Sequence, residues 1–461
     1  MHRIRQDVGG GKVVEIVSVV NEGLGHSSHV VGLGDGTALV VDPARLPDRQ
    51  RRLVAERGWR IAWSTDTHSH ADYISGSPEL VVDGAVFLAP ARARLEHAHR
   101  GVEAGEDIEL ADGLVLRAIA TPGHTPEHLA YLLVQDGTPV ALFSGGSLMV
   151  GSVGRTDLLG DEHREELAAE LFRALRDEIL VLPDELAVYP THGAGSFCSA
   201  PSTSERTTTI GRERATNPML QVTDEHEFIE RLLAGLGSFP TYFRLLPERN
   251  RRGVRHYDDV PPLARLSAAQ VAGHLEQGAV LVDARPLAEF AAGHPEGALS
   301  NVLRPVFASW LGWLVELDRP LVFVLDEDQD RDELVRQCLT IGHEHLLGEL
   351  DGGVTAWAAA GYPIATIPLL EPTAIAATVL DVRQDAEWTT GHLPGARHVE
   401  LGSVSDADMA AEPVTVMCGH GERAMTAASL LAARGHHDVS VLAGGPADWT
   451  VATGIDLVTE P

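Results

Sequence analysis

The chain has 461 residues, 44% hydrophobic and 22% charged, which is ample core material for about three domains. Its 66 acidic against 36 basic residues give a formal net charge of −30, which argues against nucleic acid or an anionic membrane as partner, since both attract Lys/Arg-rich faces. No apolar run is long enough to span a bilayer, and three scattered cysteines, Cys198, Cys338 and Cys418, are too few for a disulfide framework, so a soluble protein in a reducing, cytoplasmic setting is expected.

From about residue 13 to 200, short Val/Leu-rich runs alternate with Gly, Pro and Asp turns and with helical patterns such as Arg164 to Phe172, which predicts a layered α/β domain. The first predicted strand is Val13 to Val20, and because Glu15 interrupts it no secretory leader is expected. After the apolar run at Arg60 to Trp63 comes Asp66-Thr67-His68-Ser69-His70-Ala71-Asp72-Tyr73, with two imidazoles and a carboxylate within five positions. Neutral imidazole and carboxylate bind Zn or Fe, and a strand that ends in a loop can aim several of them at one point. His124 follows the β-like run Leu114 to Ile119, and His192 lies in Pro190-Thr191-His192-Gly193. Together these positions predict a metal site.

This half of the chain resembles the metallo-β-lactamase superfamily, whose motif is H-x-H-x-D-H followed by separate His, Asp and His ligands. The wording around Leu142 to Leu148, Val150 to Leu158 and Pro190 to Ser196 is similar to the persulfide dioxygenase branch. Two positions depart from the pattern: Tyr73 stands where the last His of the motif belongs, and Gly146 where the family has an Asp. In persulfide dioxygenases two His and one Asp hold iron, and the resemblance carries the two His onto His68 and His124 and the Asp onto Gly146. A face that has lost its carboxylate should bind Fe(II) weakly unless another ligand substitutes. His70 is the substitute expected here, giving a site of His68, His70 and His124, with Asp72 and His192 as supporting or substitute groups and Tyr73 closing the second metal position. Mononuclear Fe(II) is the expected ion and Zn the alternative. If Gly146 is a vacated ligand position, Gly146→Asp should complete the two-His, one-carboxylate face.

A polar stretch, 202 to 217, and a helical pattern, Glu225 to Leu236, lead through Pro240 to Phe243 and a charged segment at 247 to 252 into a linker near Pro261-Pro262. The remainder is an internal repeat. Asp283-Ala284-Arg285, Glu289-Phe290, Gly293-His294 and Gly297-Ala298 recur as Asp381-Val382-Arg383, Glu387-Trp388, Gly391-His392 and Gly395-Ala396, each 98 residues on, while Gly352-Gly353 and Trp357 recur 92 residues on as Gly444-Gly445 and Trp449. In the second copy the run Pro413 to Met417 delivers Cys418-Gly419-His420-Gly421-Glu422-Arg423 and then a helix. A Cys on a Gly-containing loop at a helix start meets backbone N–H donors and the positive end of the helix dipole, which favour thiolate and a neighbouring anion, and Arg423 adds a positive charge.

Both copies resemble the rhodanese domain, and this loop resembles its active-site loop, where Cys accepts sulfane sulfur as a persulfide. The resemblance implies Cys418 and Arg423 as catalytic groups and Gly419, His420, Gly421 and Glu422 as the persulfide- or anion-binding loop. Four residues separate Cys418 from Arg423, where the related phosphatases have five, so sulfur transfer is expected. In the first copy Asp326 occupies the Cys position, which implies a silent copy. The expected architecture is α/β: an αββα metallo-β-lactamase fold with tail and linker (1–260), an inactive rhodanese-like domain (263–366) and an active-type one (370–461). The expected function is sulfur metabolism, a persulfide dioxygenase-like metal domain fused to a sulfurtransferase. Low-molecular-weight thiol or persulfide and thiosulfate or sulfite are its partners, and self-association into a homo-oligomer is left open. Two alternatives stand beside it: a sulfurtransferase or carrier with a non-catalytic first domain, and a metal-dependent thioester hydrolase.

Overall fold

The computed structural model describes residues 2–6, 14–198, 205–375, 378–408 and 412–459. The chain folds as two compact units, Met1–Val260 with Leu339–Gly342, and Pro261–Cys338 with His343–Pro461. Among the described residues the first is built on two large sheets. Strands β1 (His2–Gln6), β2 (Val14–Asn21), β3 (His26–Gly32), β4 (Thr37–Val41), β5 (Arg60–Thr65), β6 (Val86–Pro90) and β7 (Arg100–Val102) pair in that order, antiparallel as far as β4 and parallel from there. The strand beginning at Val14 is therefore second, not first; Val13 and the start of the polar stretch, 202 to 204, lie outside the described residues.

The second sheet comprises β8 (Asp107–Ala111), β9 (Leu114–Ala120), β10 (Leu129–Gln135), β11 (Thr138–Gly145), β14 (Ala187–Pro190) and β15 (Thr208–Thr209), with a small hairpin of β12 (Leu148–Met149) and β13 (Ser152–Val153) between them in sequence. Period-two alternation explains the layers. On β4, Leu39 and Val41 join the core between the sheets and Ala38 and Val40 join another beneath a helix; on β10, Leu129, Tyr131 and Leu133 point inward while Ala130, Leu132 and Val134 point out. Helices Asp48–Glu56 and Ser77–Val82 cover one outer face, and Arg164–Ala174 and Glu225–Ala234 the other. This is the expected αββα sandwich. Strand ends and loops along one rim bring the clustered histidines together.

The second unit repeats one sheet. Strands β16 (Arg265–Leu266), β17 (Val280–Asp283), β19 (Leu299–Ser300), β20 (Leu321–Val324) and β21 (Leu346–Leu350) are all parallel in the order β16-β21-β20-β17-β19. Short strands β18 (His294–Pro295) and β22 (Ile364–Ala365) pair beside them. Strands β23 (Leu369–Leu370), β24 (Thr378–Asp381), β25 (Arg397–His398), β26 (Val414–Met417) and β27 (Val439–Leu442) are parallel in the equivalent order, β23-β27-β26-β24-β25. The recurrent motif is architectural. Arg285 Nε and Nη2 grip Asp283, and Nη2 also donates to Gly293 O at 2.9 Å; Arg383 repeats this with Asp381 and Gly391 O at 2.8 Å. His294 stacks on Phe290 and His392 on Trp388, each ring donating from Nδ1 to the backbone carbonyl of its stacking partner. One cluster of buried side chains runs through both copies, from Val271, Phe290 and Trp310 to Leu380, Val404, Met425 and Leu431.

Among the described residues no helix is long and apolar enough to cross a membrane. Because both side chains of the Asp381–Arg383 pair are buried, Asp381→Asn should strand a guanidinium and cost about 3–5 kcal/mol in urea unfolding of the second unit. Asp107→Asn, which breaks the exposed Asp107–Arg117 pair, should cost no more than about 1 kcal/mol. Equal losses would contradict the architectural reading of the motif.

Candidate metal centre and reactive-cysteine loop

The first centre is organised by Asp42, which follows β4 in the left-handed region at φ 49°. Its fully buried carboxylate accepts the Thr67 N–H at 2.7 Å, the Thr67 hydroxyl at 2.9 Å, the Thr191 hydroxyl, and His70 Nε2 at 3.2 Å. Burial alone would push its pKa up, but His70, Thr191 and Thr67 hold it well below the usual carboxylate range. Burial opposes a charge on His70, and Asp42 outweighs it and raises the pKa of the imidazole. His70 Nε2 also meets the Tyr73 hydroxyl at 3.1 Å.

Proton bookkeeping fixes the remaining imidazoles. The single proton of the Thr67 hydroxyl goes to Asp42, so the 2.8 Å contact with His68 is donated by His68 Nδ1, leaving Nε2 as an acceptor. His124 Nδ1 donates to Arg155 O at 2.8 Å, and its Nε2 is buried without a hydrogen-bond partner. His192 turns Nδ1 toward Asp72 Oδ2 at 3.4 Å and Nε2 toward His68 Nε2, also at 3.4 Å. Burial, reinforced by neighbouring imidazoles, holds His68 well below its ordinary pKa and His124 down at about 3, so both are neutral. Asp72 is lowered to about 2 because the histidine charges around it, His192 first, overcome burial.

His68 Nε2 and His124 Nε2 thus offer lone pairs in a dry space, with His192 Nε2 3.4 Å from His68 Nε2, an arrangement that suits a cation between them. Ligand atoms of His68, His124 and His192 lie within 4.8 Å of one another, so the donor set fits a divalent metal ion. Of the ligands expected from the sequence, His68 and His124 come together; His192, expected as support, takes the third place. His70 instead groups with Asp72 and His192, and with Asp42 and Asp66. Tyr73 is fully buried, and its ring stacks on His26 and His70.

Gly146 is not an empty ligand position. A Cβ there would lie 2.2 Å from His124 Cδ2, and one at Gly154 would lie 2.9 Å from His124 Nδ1. The two glycines leave room for the imidazole, and the Gly146 N–H is held by His128 Nε2 at 2.9 Å. This packing counts against the expectation that Gly146→Asp completes a carboxylate face.

The ligand loop is braced from the tail. Asn250, on helix Leu246–Arg252, donates from Nδ2 to His70 O at 2.8 Å and Tyr73 O at 2.9 Å and accepts the Ser75 N–H at 2.9 Å. Nothing in the charged segment 247 to 252 marks that role in sequence. Asp42 had a signal, an apolar run that ends in Asp-Pro, but not one that distinguishes a ligand organiser from a turn.

In the second unit, β26 ends at Met417 and helix Glu422–Ala433 begins after four intervening residues, with Cys418 buried among them. The Gly421 N–H donates to Cys418 Sγ at 3.1 Å, from a backbone at φ 99° that favours glycine. Gly419, Gly421 and Glu422 line the turn, His420 is exposed, and Arg423 makes a two-point ion pair with Glu387 at 2.6 and 2.8 Å. In the first copy the corresponding loop is filled by its own side chains: Arg331 Nη1 donates to Asp326 O, Glu327 O and Gln329 O, and the Asp326 N–H donates to Gln329 Oε1. Burial pushes the Cys198 and Cys338 thiols far up, so neither is poised as a thiolate.

The Rhodanese-like domain family matches residues 267–360 and 369–452. Hydroxyacylglutathione hydrolase of Nitrosococcus oceani is 31% identical over 161 residues, 34% of this chain, which spans only 57% of that relative's length. The mitochondrial persulfide dioxygenase ETHE1 of Homo sapiens is 29% identical over 199 residues, 42% of this chain and 70% of its own. A crystal structure of a metallo-β-lactamase from Staphylococcus aureus subsp. aureus COL superposes with a TM-score of 0.64 at 25% identity, covering 73% of this chain and 98% of that one. With the αββα sandwich, the repeated parallel sheets and both centres in place, the chain belongs to the metallo-β-lactamase–rhodanese fusion proteins.

Proposed function

We propose that the protein is a sulfur-metabolism enzyme in which Cys418 carries sulfane sulfur and the His68/His124/His192 centre oxidises a low-molecular-weight persulfide. The observation that carries this reading is the contrast between the two loops: Cys418 lies against an N–H donor at a helix start, whereas Asp326 lies in a loop closed by Arg331. The overall oxidation balances as a persulfide plus O₂ and water giving thiol, sulfite and two protons. A bound divalent metal would supply Lewis acidity and, if iron, redox capacity. The chain's own residues do the rest: Thr67 and Arg155 O fix the imidazole tautomers, Asp42 and Asn250 hold the loop, and the dry surroundings exclude water.

A metal-dependent thioester hydrolase is the second reading. It is favoured by the candidate ligand set, since three imidazoles with a free position suit zinc and a metal-bound hydroxide, and by the likeness to hydroxyacylglutathione hydrolase. Persulfide-dependent oxygen uptake by the iron-loaded protein supports the first reading; thioester hydrolysis by the zinc-loaded protein without oxygen uptake supports the second.

Two variant series test the assignments. Cys418→Ser should abolish thiosulfate:cyanide sulfur transfer, while Cys198→Ser and Cys338→Ser leave it largely intact; equal loss in Cys338→Ser would contradict the role of Cys418. His192→Ala should remove more bound metal than His70→Ala, measured by elemental analysis of purified protein, and the reverse order would restore the trio expected from sequence. Gly146→Asp should lower metal content and destabilise the first unit by about 1–3 kcal/mol, as expected of overpacking. A gain in Fe(II) would contradict the packing account.

A further inference from the structure

The cationic group of the Cys418 loop is already matched. Arg423 Nη1 and Nη2 donate to Glu387 Oε2 and Oε1 at 2.6 and 2.8 Å, a two-point pairing with a fixed geometry. The charged residues of the loop are Glu422 and Arg423, so once Glu387 is counted the cradle carries no excess positive charge before Cys418 ionises. Two apolar side chains approach it: a Cβ at Gly421 would touch Leu287 at 3.0 Å, and the Arg423 guanidinium lies 5.7 Å from the centre of the Trp310 ring. Burial pushes the Glu387 carboxyl up, and Arg423 outweighs it and holds it below the usual range. The first copy pairs its loop arginine differently, Arg331 donating to Glu349 at 3.1 Å while the Glu387 equivalent, Glu289, is exposed.

Sulfur donors differ in charge. Thiosulfate arrives as a dianion and leaves as sulfite, another dianion, whereas an organic hydropersulfide is neutral or singly charged and brings an apolar group. Like charge held beside a dianion costs binding that an uncharged donor does not lose. Taking the sulfur-transfer reading of Cys418 as its basis, we infer that Glu387 is a specificity-determining residue that restrains Arg423 and tunes the loop for organic persulfides over thiosulfate. In the step concerned, the Cys418 thiolate attacks the outer sulfur of R–S–SH. A new S–S bond forms as the old one breaks, and the thiol leaves with both bonding electrons and the donor's proton. Cys418 is left as Cys–S–S⁻, and no external oxidant or reductant is consumed.

The test is the rate of Cys418 persulfide formation in the full chain, followed by rapid quenching, alkylation and mass spectrometry, with thiosulfate and with cysteine hydropersulfide as donors. Wild type should load faster from the hydropersulfide. Glu387→Gln, which removes one negative charge and keeps the shape, should raise the thiosulfate-to-hydropersulfide rate ratio about tenfold, mainly through a lower half-saturating thiosulfate concentration. Glu387→Asp, which keeps the charge, should stay near the wild-type ratio. A Glu387→Gln variant that slows both donors equally, or a wild type that prefers thiosulfate, overturns the inference while leaving the sulfur-transfer reading intact. Unchanged thiosulfate:cyanide sulfur transfer in Cys418→Ser overturns that reading itself.

Discussion

The buried carboxylate of Asp42 is the constraint on which the first centre depends. It sits beyond the end of one strand and is bonded to the loop that carries His68 and His70 and to the Thr191 next to His192. A carboxylate with so many donors is tolerated in a dry interior only because each lone pair is used and His70 supplies a counter-charge. That same pairing occupies His70 Nε2, while ligand atoms of His68, His124 and His192 converge beside it.

A second constraint is space around His124. Glycine at 146 and 154 gives the ring room that any side chain would take, so a feature that reads in sequence as a lost ligand is, in the fold, a packing requirement. Three neutral donors leave more positive charge on a bound cation than two imidazoles and a carboxylate would, and they widen the choice of metal.

Much of this was legible in the sequence. A layered α/β domain followed from apolar runs between turns and helical patterns, its αββα form from the resemblance carried by the His-rich motif, and the tandem copies from Asp-x-Arg and Gly-His pairs whose hydrogen bonds now explain why they recur together. The Cys418 loop was readable because strand, glycine turn and helix are contiguous. His192 as a converging ligand was not, because its nearness to His68 is decided by the crossover to β14 and by Asp42, which reaches Thr191 from a separation of 149 residues. Asn250 was hidden for a related reason: its partners are backbone carbonyls, which leave no mark on composition or spacing. Glu387 was visible only as a repeat position, and its link to Arg423 needed the fold.

The claim that the imidazoles of His68, His124 and His192 form the first centre is tested most directly by X-ray absorption at the metal edge of the zinc- or iron-loaded chain. The account predicts scattering from three imidazoles, reduced to two in His192→Ala and unchanged in number in His70→Ala. A protein carboxylate in the coordination shell, or loss of an imidazole in His70→Ala but not in His192→Ala, would contradict it.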